Sequence, residues 1–174
     1  MDIYLRLLTG QPCEMAALQR ILEATPTDAE LGTGHPPGVA EAQSLLTALP
    51  PGMTHDSKYL YGFMTDVPQL VGCADLIRGW PTDSTTLLGL LLLDEEHQGH
   101  GLGESAYQEV EAKVRRWPEI DTLRVSVVRS SAAVLPFWRR IGFIETGEVQ
   151  PLVYDKLVSE SIILAKPLYN DARA

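Results

Sequence analysis

The sequence predicts an α/β domain built on a mixed sheet. Three observations predict it: short runs of alternating hydrophobicity bounded by turn residues, long segments with apolar residues at helical spacing, and a strand–glycine loop–helix junction in the middle of the chain.

Taken in order, residues 3–8 alternate through Ile3, Leu5 and Leu7 and read as a strand. Pro12 opens a helix to about residue 24, whose Met15, Leu18, Ile21 and Leu22 share a face. Residues 25–38 are rich in Thr, Gly and Pro and read as a loop. A shorter helix follows over 40–49, stopped by Pro50-Pro51-Gly52. Three strands in hairpin succession cover 58–65, 69–77 and 86–93, with turns at 66–68 and 79–83. The next helix runs to about Trp117. Leu102, Ala106, Val110, Val114 and Trp117 share its face, and Glu109–Lys113 and Glu111–Arg115 pair one turn apart. Residues 122–128 alternate as a strand, Ser130-Ser131 can cap a short helix through Arg140, and Gly142 ends it. Closing strands lie near 143–149 and 161–165. The order is βααβββαβαββ.

A chain of 174 residues, 45% hydrophobic and 21% charged, is expected to form one domain over 1–174. The longest apolar run, 87–93, is far short of the ~20 residues that cross a bilayer. The first residues lack the layout of a secretory signal, so the cytoplasm is the expected compartment. Two cysteines and four scattered histidines show no metal-ligand spacing, and neither a disulfide nor a metal is expected. A net charge of −9 argues against nucleic acid as partner. Residues 1–87 hold four bases against ten acids, and residues 88–174 hold ten against thirteen. That imbalance reads either as plain solubility or as an acidic half for a cationic acceptor, with the arginines of the second half facing an anionic cofactor.

The informative element is the loop after the third hairpin strand, Gln98-Gly99-His100-Gly101-Leu102-Gly103. A helix start presents unpaired N–H groups and partial positive charge, and glycines let an anion approach them closely. A phosphate cradle is the natural reading. A dinucleotide fold would place its third glycine at Glu104 and an acid after the next strand, where Arg129 stands. A P-loop lacks its Gly-Lys-Ser/Thr.

In this position the segment resembles the Q/R-x-x-G-x-G/A motif of the GNAT acetyltransferases. A second stretch, from Val127 through Arg129, Ser131, Phe137 and Trp138 to Gly142-Phe143, is similar to that family's V-x-x-x-N-x-x-A-x-x-F-Y-x-K-x-G-F segment. The resemblance implies the GNAT acyl-CoA N-acyltransferase fold, a mostly antiparallel mixed sheet with a splayed parallel pair of central strands and about four flanking helices. It implies acetyl-CoA as cosubstrate, its diphosphate on the N–H groups of Gln98, Gly99, His100, Gly101, Leu102, Gly103 and Glu104. The pantetheine arm would pair with the end of strand 86–93 near Leu91, Leu92 and Leu93, with Ser131, Phe137 and Trp138 on its other side. Arg139 and Arg140 are candidates for the outer phosphate or plain surface residues.

Acetyl transfer needs a neutral amine, and a lysine-like amine of pKa about 10.4 is neutral only about once in a few thousand at pH 7. A carboxylate base answers this. The strand 86–93 contains none, which leaves Asp75, or Glu96 through water. An N–H at a strand bulge near Leu92 or Leu93 would stabilise the oxyanion. The family's frequent tyrosine acid falls on Trp138, which cannot donate a proton at neutral pH. Tyr107 and Tyr154 are the other tyrosines considered for that role. The acceptor, a small-molecule or peptidyl amine, is expected against the first half: the 25–38 loop, the second helix, or Tyr59, Tyr61 and Phe63. Those strand aromatics equally suit the core. The competing functions are a non-catalytic acyl-CoA-binding sensor or interaction module and, further off, a nucleotide-dependent oxidoreductase. Homodimerisation is common in the family.

Overall fold

The computed structural model describes residues 2–99, 101–154 and 157–168. Seven strands form one sheet: β1 (Ile3–Leu7), β2 (Lys58–Thr65), β3 (Leu70–Arg78), β4 (Thr85–Leu93), β5 (Thr122–Val128), β6 (Ile144–Tyr154) and β7 (Leu157–Pro167). Their order across the sheet is β1-β2-β3-β4-β5-β7-β6. Short turns join β2, β3 and β4, so these pair antiparallel. Between β4 and β5 the chain inserts the helix α4 (Leu102–Val114), and a crossover of that kind returns the next strand parallel.

The sheet carries a core on each face. On one side α4 and α5 (Leu135–Arg140) pack Val110, Val114, Trp138 and Ile141 against Phe63, Ala74, Leu76, Leu123 and Phe143. On the other, α1 (Pro12–Ala24) and α3 (Glu41–Thr47) bring Met15, Leu18, Ile21, Leu22 and Ala42 onto Leu60, Cys73 and Leu92. Period-two alternation in β2 and β3 divides the side chains between these faces.

Several elements differ from the sequence reading. The stretch 25–38 contains a helix, α2 (Pro26–Thr33), which Pro26 opens and Gly34 ends in a left-handed conformation. Its residues carry no clear apolar stripe, so periodicity could not reveal it. The segment read as one helix from Ser130 is a 3-10 turn, Arg129–Val134, followed by the separate α5. Ser130 caps nothing; its hydroxyl donates to the Leu31 carbonyl of α2. The final hairpin is longer than expected because Gly147, in a bulge between Glu145 and Val149, and Pro151 look like turn residues yet lie within β6.

Tyr59, Tyr61 and Phe63 pack with the core cluster of α4. They lie on the α4 side, with the Tyr59 ring 4.9 Å from that of Trp117 and parallel to that of Tyr61. Burial pushes the Tyr61 phenol up to about 12.

Leu18 is fully buried in the core that joins α1 to the sheet. Leu18→Ala should cost about 2–5 kcal/mol in urea denaturation; an unshifted midpoint would mean that α1 contributes little to the folded state.

Candidate functional site

β4 and β5 pair only from Thr85 opposite Thr122 to Leu88 opposite Val125. Beyond that point the two strands diverge. The opening is a cleft of about 450 Å³, walled by residues 88–93 of β4 and 125–128 of β5. Gln98, Gly99 and Gly103 stand at one end; Ser131, Phe137 and Trp138 line it from the second motif, and Gly32 of α2 reaches it from the opposite face. Backbone groups in a sheet need partners, so an opening between two strands offers a row of donors and acceptors to an extended polar ligand.

The sheet is irregular at the same point. Asp75 of β3 lies opposite Leu90 while Leu76 lies opposite Leu88, which leaves Gly89 as an extra residue on β4. Such a bulge releases a backbone group from the ladder. The bulge expected near Leu92 or Leu93 is therefore found at Gly89. Leu92 and Leu93 are buried parts of the regular β3–β4 ladder, and the Leu93 carbonyl accepts from Gln98 Nε2 at 2.7 Å.

At the loop, the Asp94 carboxylate accepts the His97 N–H at 3.1 Å and also contacts His97 Nδ1. The Gln98 amide ties the next turn back to β4. Gly99 and Gly101 both adopt a φ of 77°, which favours glycine, and Gly101 is the residue from which α4 starts. A Cβ at Gly101 would meet no atom within 4 Å, so the space above the helix start is open. The N–H groups of Gly101, Leu102 and Gly103 enter none of the hydrogen bonds among the described residues. The Glu104 N–H, expected to join the cradle, donates to the Gly101 carbonyl at 3.2 Å instead. His100, also assigned to the cradle, lies outside the described residues.

Among the acid–base candidates, Asp75 is 8% exposed and sits behind the bulge. A Cβ placed on Gly89 would lie 3.1 Å from Asp75 Oδ2. The absence of a side chain at residue 89 is thus what brings the carboxylate next to the cleft wall. Burial pushes the Asp75 carboxyl above its ordinary range, opposed by Lys58, whose Nζ is 2.7 Å from Oδ1. Sequence reading missed Lys58; a lone lysine at the start of a strand gave no sign of burial. Neither carboxylate is itself part of the cleft lining: Asp75 lies directly behind Gly89 of the wall, whereas Glu96 is exposed on the 3-10 turn Glu95–His97.

Neither alternative tyrosine reaches the cleft. Tyr107 is buried with its ring edge-on to Trp138, and its oxygen approaches the Glu111 carboxylate without a hydrogen bond of regular geometry. Burial, and then Glu111, push its ionisation far upward. Tyr154 is exposed on β6. Three arginines of the second half are engaged with the closing hairpin: Arg124 with Glu148 at 2.9 Å, Arg129 with Glu160 at 2.7 Å, and Arg139 with Glu145. Arg140 is exposed and 3.9 Å from Glu104.

The sequence model of the acetyltransferase (GNAT) family matches residues 19–143. The chain belongs to that family. Its fold is shared by solved structures of low identity. A phosphinothricin N-acetyltransferase, so described provisionally, has 18% identity and a TM-score of 0.70, over 97% of this chain and 100% of the other. A GNAT family acetyltransferase from Elizabethkingia anophelis with acetyl-CoA bound has 19% identity and a TM-score of 0.62, over 96% and 99%. AAC(6')-Ib in complex with ribostamycin and coenzyme A has 15% identity and a TM-score of 0.72, over 100% and 99%. No curated protein matches the chain. Among the described residues no helix of this acetyltransferase is long and apolar enough to cross a membrane.

If the amides at the start of α4 hold the cosubstrate, Gly101→Val should lower acetyl-CoA affinity at least tenfold in isothermal titration. Val at a φ of 77° is strained, but the loop is exposed, so the strain should stay local and the circular dichroism close to that of the wild type. Gly52→Val, equally exposed and at a φ of 83° but away from the cleft, should keep the affinity. Unchanged affinity in Gly101→Val would place the cradle elsewhere.

Proposed function

We propose that this acetyltransferase moves the acetyl group of acetyl-CoA to a primary amine of a small-molecule or peptidyl acceptor by direct attack in a ternary complex, with Asp75 as the base. The supporting observation is a coincidence at residue 89. The β4–β5 pairing ends, the bulge frees a backbone group, and a buried carboxylate lies against the wall, all within one residue.

The residues present fit the cosubstrate. The diphosphate would rest on the N–H groups of Gly99, Gly101, Leu102 and Gly103, with Gln98 holding the loop in place. The arm would lie between Leu91 and Leu92 on one side and Ser131, Phe137 and Trp138 on the other. Acetyl-CoA supplies a thioester-activated acetyl group. The protein supplies the rest. Asp75 Oδ2, open through Gly89, takes the proton that the amine must lose. N–H groups of β4 at the bulge stabilise the negative charge that develops on the acetyl oxygen. The acceptor approaches from the side of α1, α2 and α3, the face on which Asp75 lies. The proton for the departing sulfur comes from solvent, since no tyrosine among the described residues lines the cleft and a thiol of pKa about 8.5 leaves readily enough without one.

A thiol-release assay with acetyl-CoA against polyamines, amino acids, aminoglycosides and peptide N-termini tests the reading. Turnover is expected with at least one class, and Asp75→Asn should lower kcat by about 10²–10⁴ while acetyl-CoA affinity stays unchanged. Binding of acetyl-CoA with no thiol released across the panel would instead make the chain a sensor or interaction module.

A further inference from the structure

Lys58 is the most deeply buried charge near the cleft, and the chemistry above does not use it. Its side chain is 4% exposed and that of Asp75 11%. Lys58 stands two residues from Leu60, which faces Asp75 across the β2–β3 ladder, so both charges share the face covered by α1 and α3. Their contact is an ion pair at 2.7 Å without the alignment of a regular hydrogen bond, and Nζ has no hydrogen-bond partner among the described residues.

Burying such a pair is a poor way to gain stability. The desolvation of two ions roughly cancels their attraction, and apolar residues of equal volume commonly do better. The surroundings are apolar: Leu60 on β2, Cys73 beside Asp75 on β3, Leu90 and Leu92 on β4, and the leucines of α1. Cys73 is the titratable group on that face of β3. Lys58 is the charged group that acts on Asp75 among the described residues. Without Lys58, nothing named there would oppose the burial that pushes the Asp75 carboxyl upward.

We propose that Lys58 is a positioning residue for acetyl transfer, its ammonium on Oδ1 keeping Asp75 ionised and turning Oδ2 to the opening at Gly89. The proposal rests on Asp75 being the base. During the reaction the amine nitrogen bonds to the acetyl carbon, the carbon–sulfur bond breaks with its electrons on sulfur, and the amine proton passes to Oδ2. No proton is routed through Lys58. Its work is electrostatic, and it restores the carboxylate once that proton escapes to solvent.

The test is the pH dependence of kcat in the wild type and in Lys58→Met, Lys58→Arg and Asp75→Asn. A base must be ionised to act, so its pKa sets the acid limb of the profile, and removing the neighbouring cation raises that pKa. Lys58→Met should move the limb upward by about 1–3 pH units, lowering turnover below the limb by a factor of about 10–10³ and recovering it at higher pH. Acetyl-CoA affinity should not change. Lys58→Arg should return the limb close to its wild-type position. If Lys58→Met does not fold, Lys58→Gln, which keeps a polar side chain without the charge, takes its place. A limb that stays put in the uncharged variant, while Asp75→Asn is inactive, overturns the role of Lys58 and leaves the base intact. Wild-type turnover in Asp75→Asn removes the base itself, and the inference with it.

Discussion

The site depends on one constraint: β4 and β5 begin as a paired parallel ladder and cannot continue as one. From Thr85 to Leu88 the ladder is regular; from Gly89 onward β4 has neighbours on its β3 side only. A bulge interrupts β4 at Gly89, and Phe137 and Trp138 line the opening beyond it. Trp138 is itself held edge-on by Tyr107, Phe137 and Phe143, so this lining belongs to the core. The open edges carry polar backbone groups that require partners. A long, flexible ligand with amide groups of its own satisfies them, which is why this geometry suits a pantetheine arm.

The electrostatics follow from the same arrangement. In the proposed placement, an anionic cosubstrate would meet a chain of net charge −9 at the start of α4, where the helix supplies positive potential. Arg124, Arg129 and Arg139 are paired with Glu148, Glu160 and Glu145, where they brace the β6–β7 hairpin. Exposed pairs of this type contribute little energy each. One buried pair, Lys58 with Asp75, lies where charge can influence the chemistry.

Much of this was legible in the sequence. β2 and β5 occupy the residues that alternation indicates, and the glycine loop stands between a strand and a helix as its composition suggests. Ser131, Phe137 and Trp138, which motif resemblance sets beside a pantetheine arm, lie along the cleft between β4 and β5. The failures have specific causes. The helix α2 has no apolar stripe and is held by contacts distant in sequence, among them Ser130 to the Leu31 carbonyl. The hairpin β6–β7 contains a glycine and a proline that normally signal turns. The bulge is a mismatch between two strands, and neither strand reveals it alone. The second half's arginines were read as facing either solvent or cofactor, because their acidic partners lie 6–31 residues away in sequence.

By itself the sequence determined the order of the seven strands, the glycine loop between a strand and a helix, and the family, since each of these is written in local patterns: periodicity, glycine spacing and short motifs. It named Asp75 among the carboxylates without ranking it by position. Only the tertiary structure decided that Asp75 lies behind Gly89, that Lys58 is buried against it, and that the β4–β5 ladder stops at Leu88, just before that glycine. Those facts concern register between β2, β3, β4 and β5, residues up to 67 apart in the chain between Lys58 and Val125. Register is set by the packing of two cores on opposite faces of the sheet, and no window of sequence contains that balance.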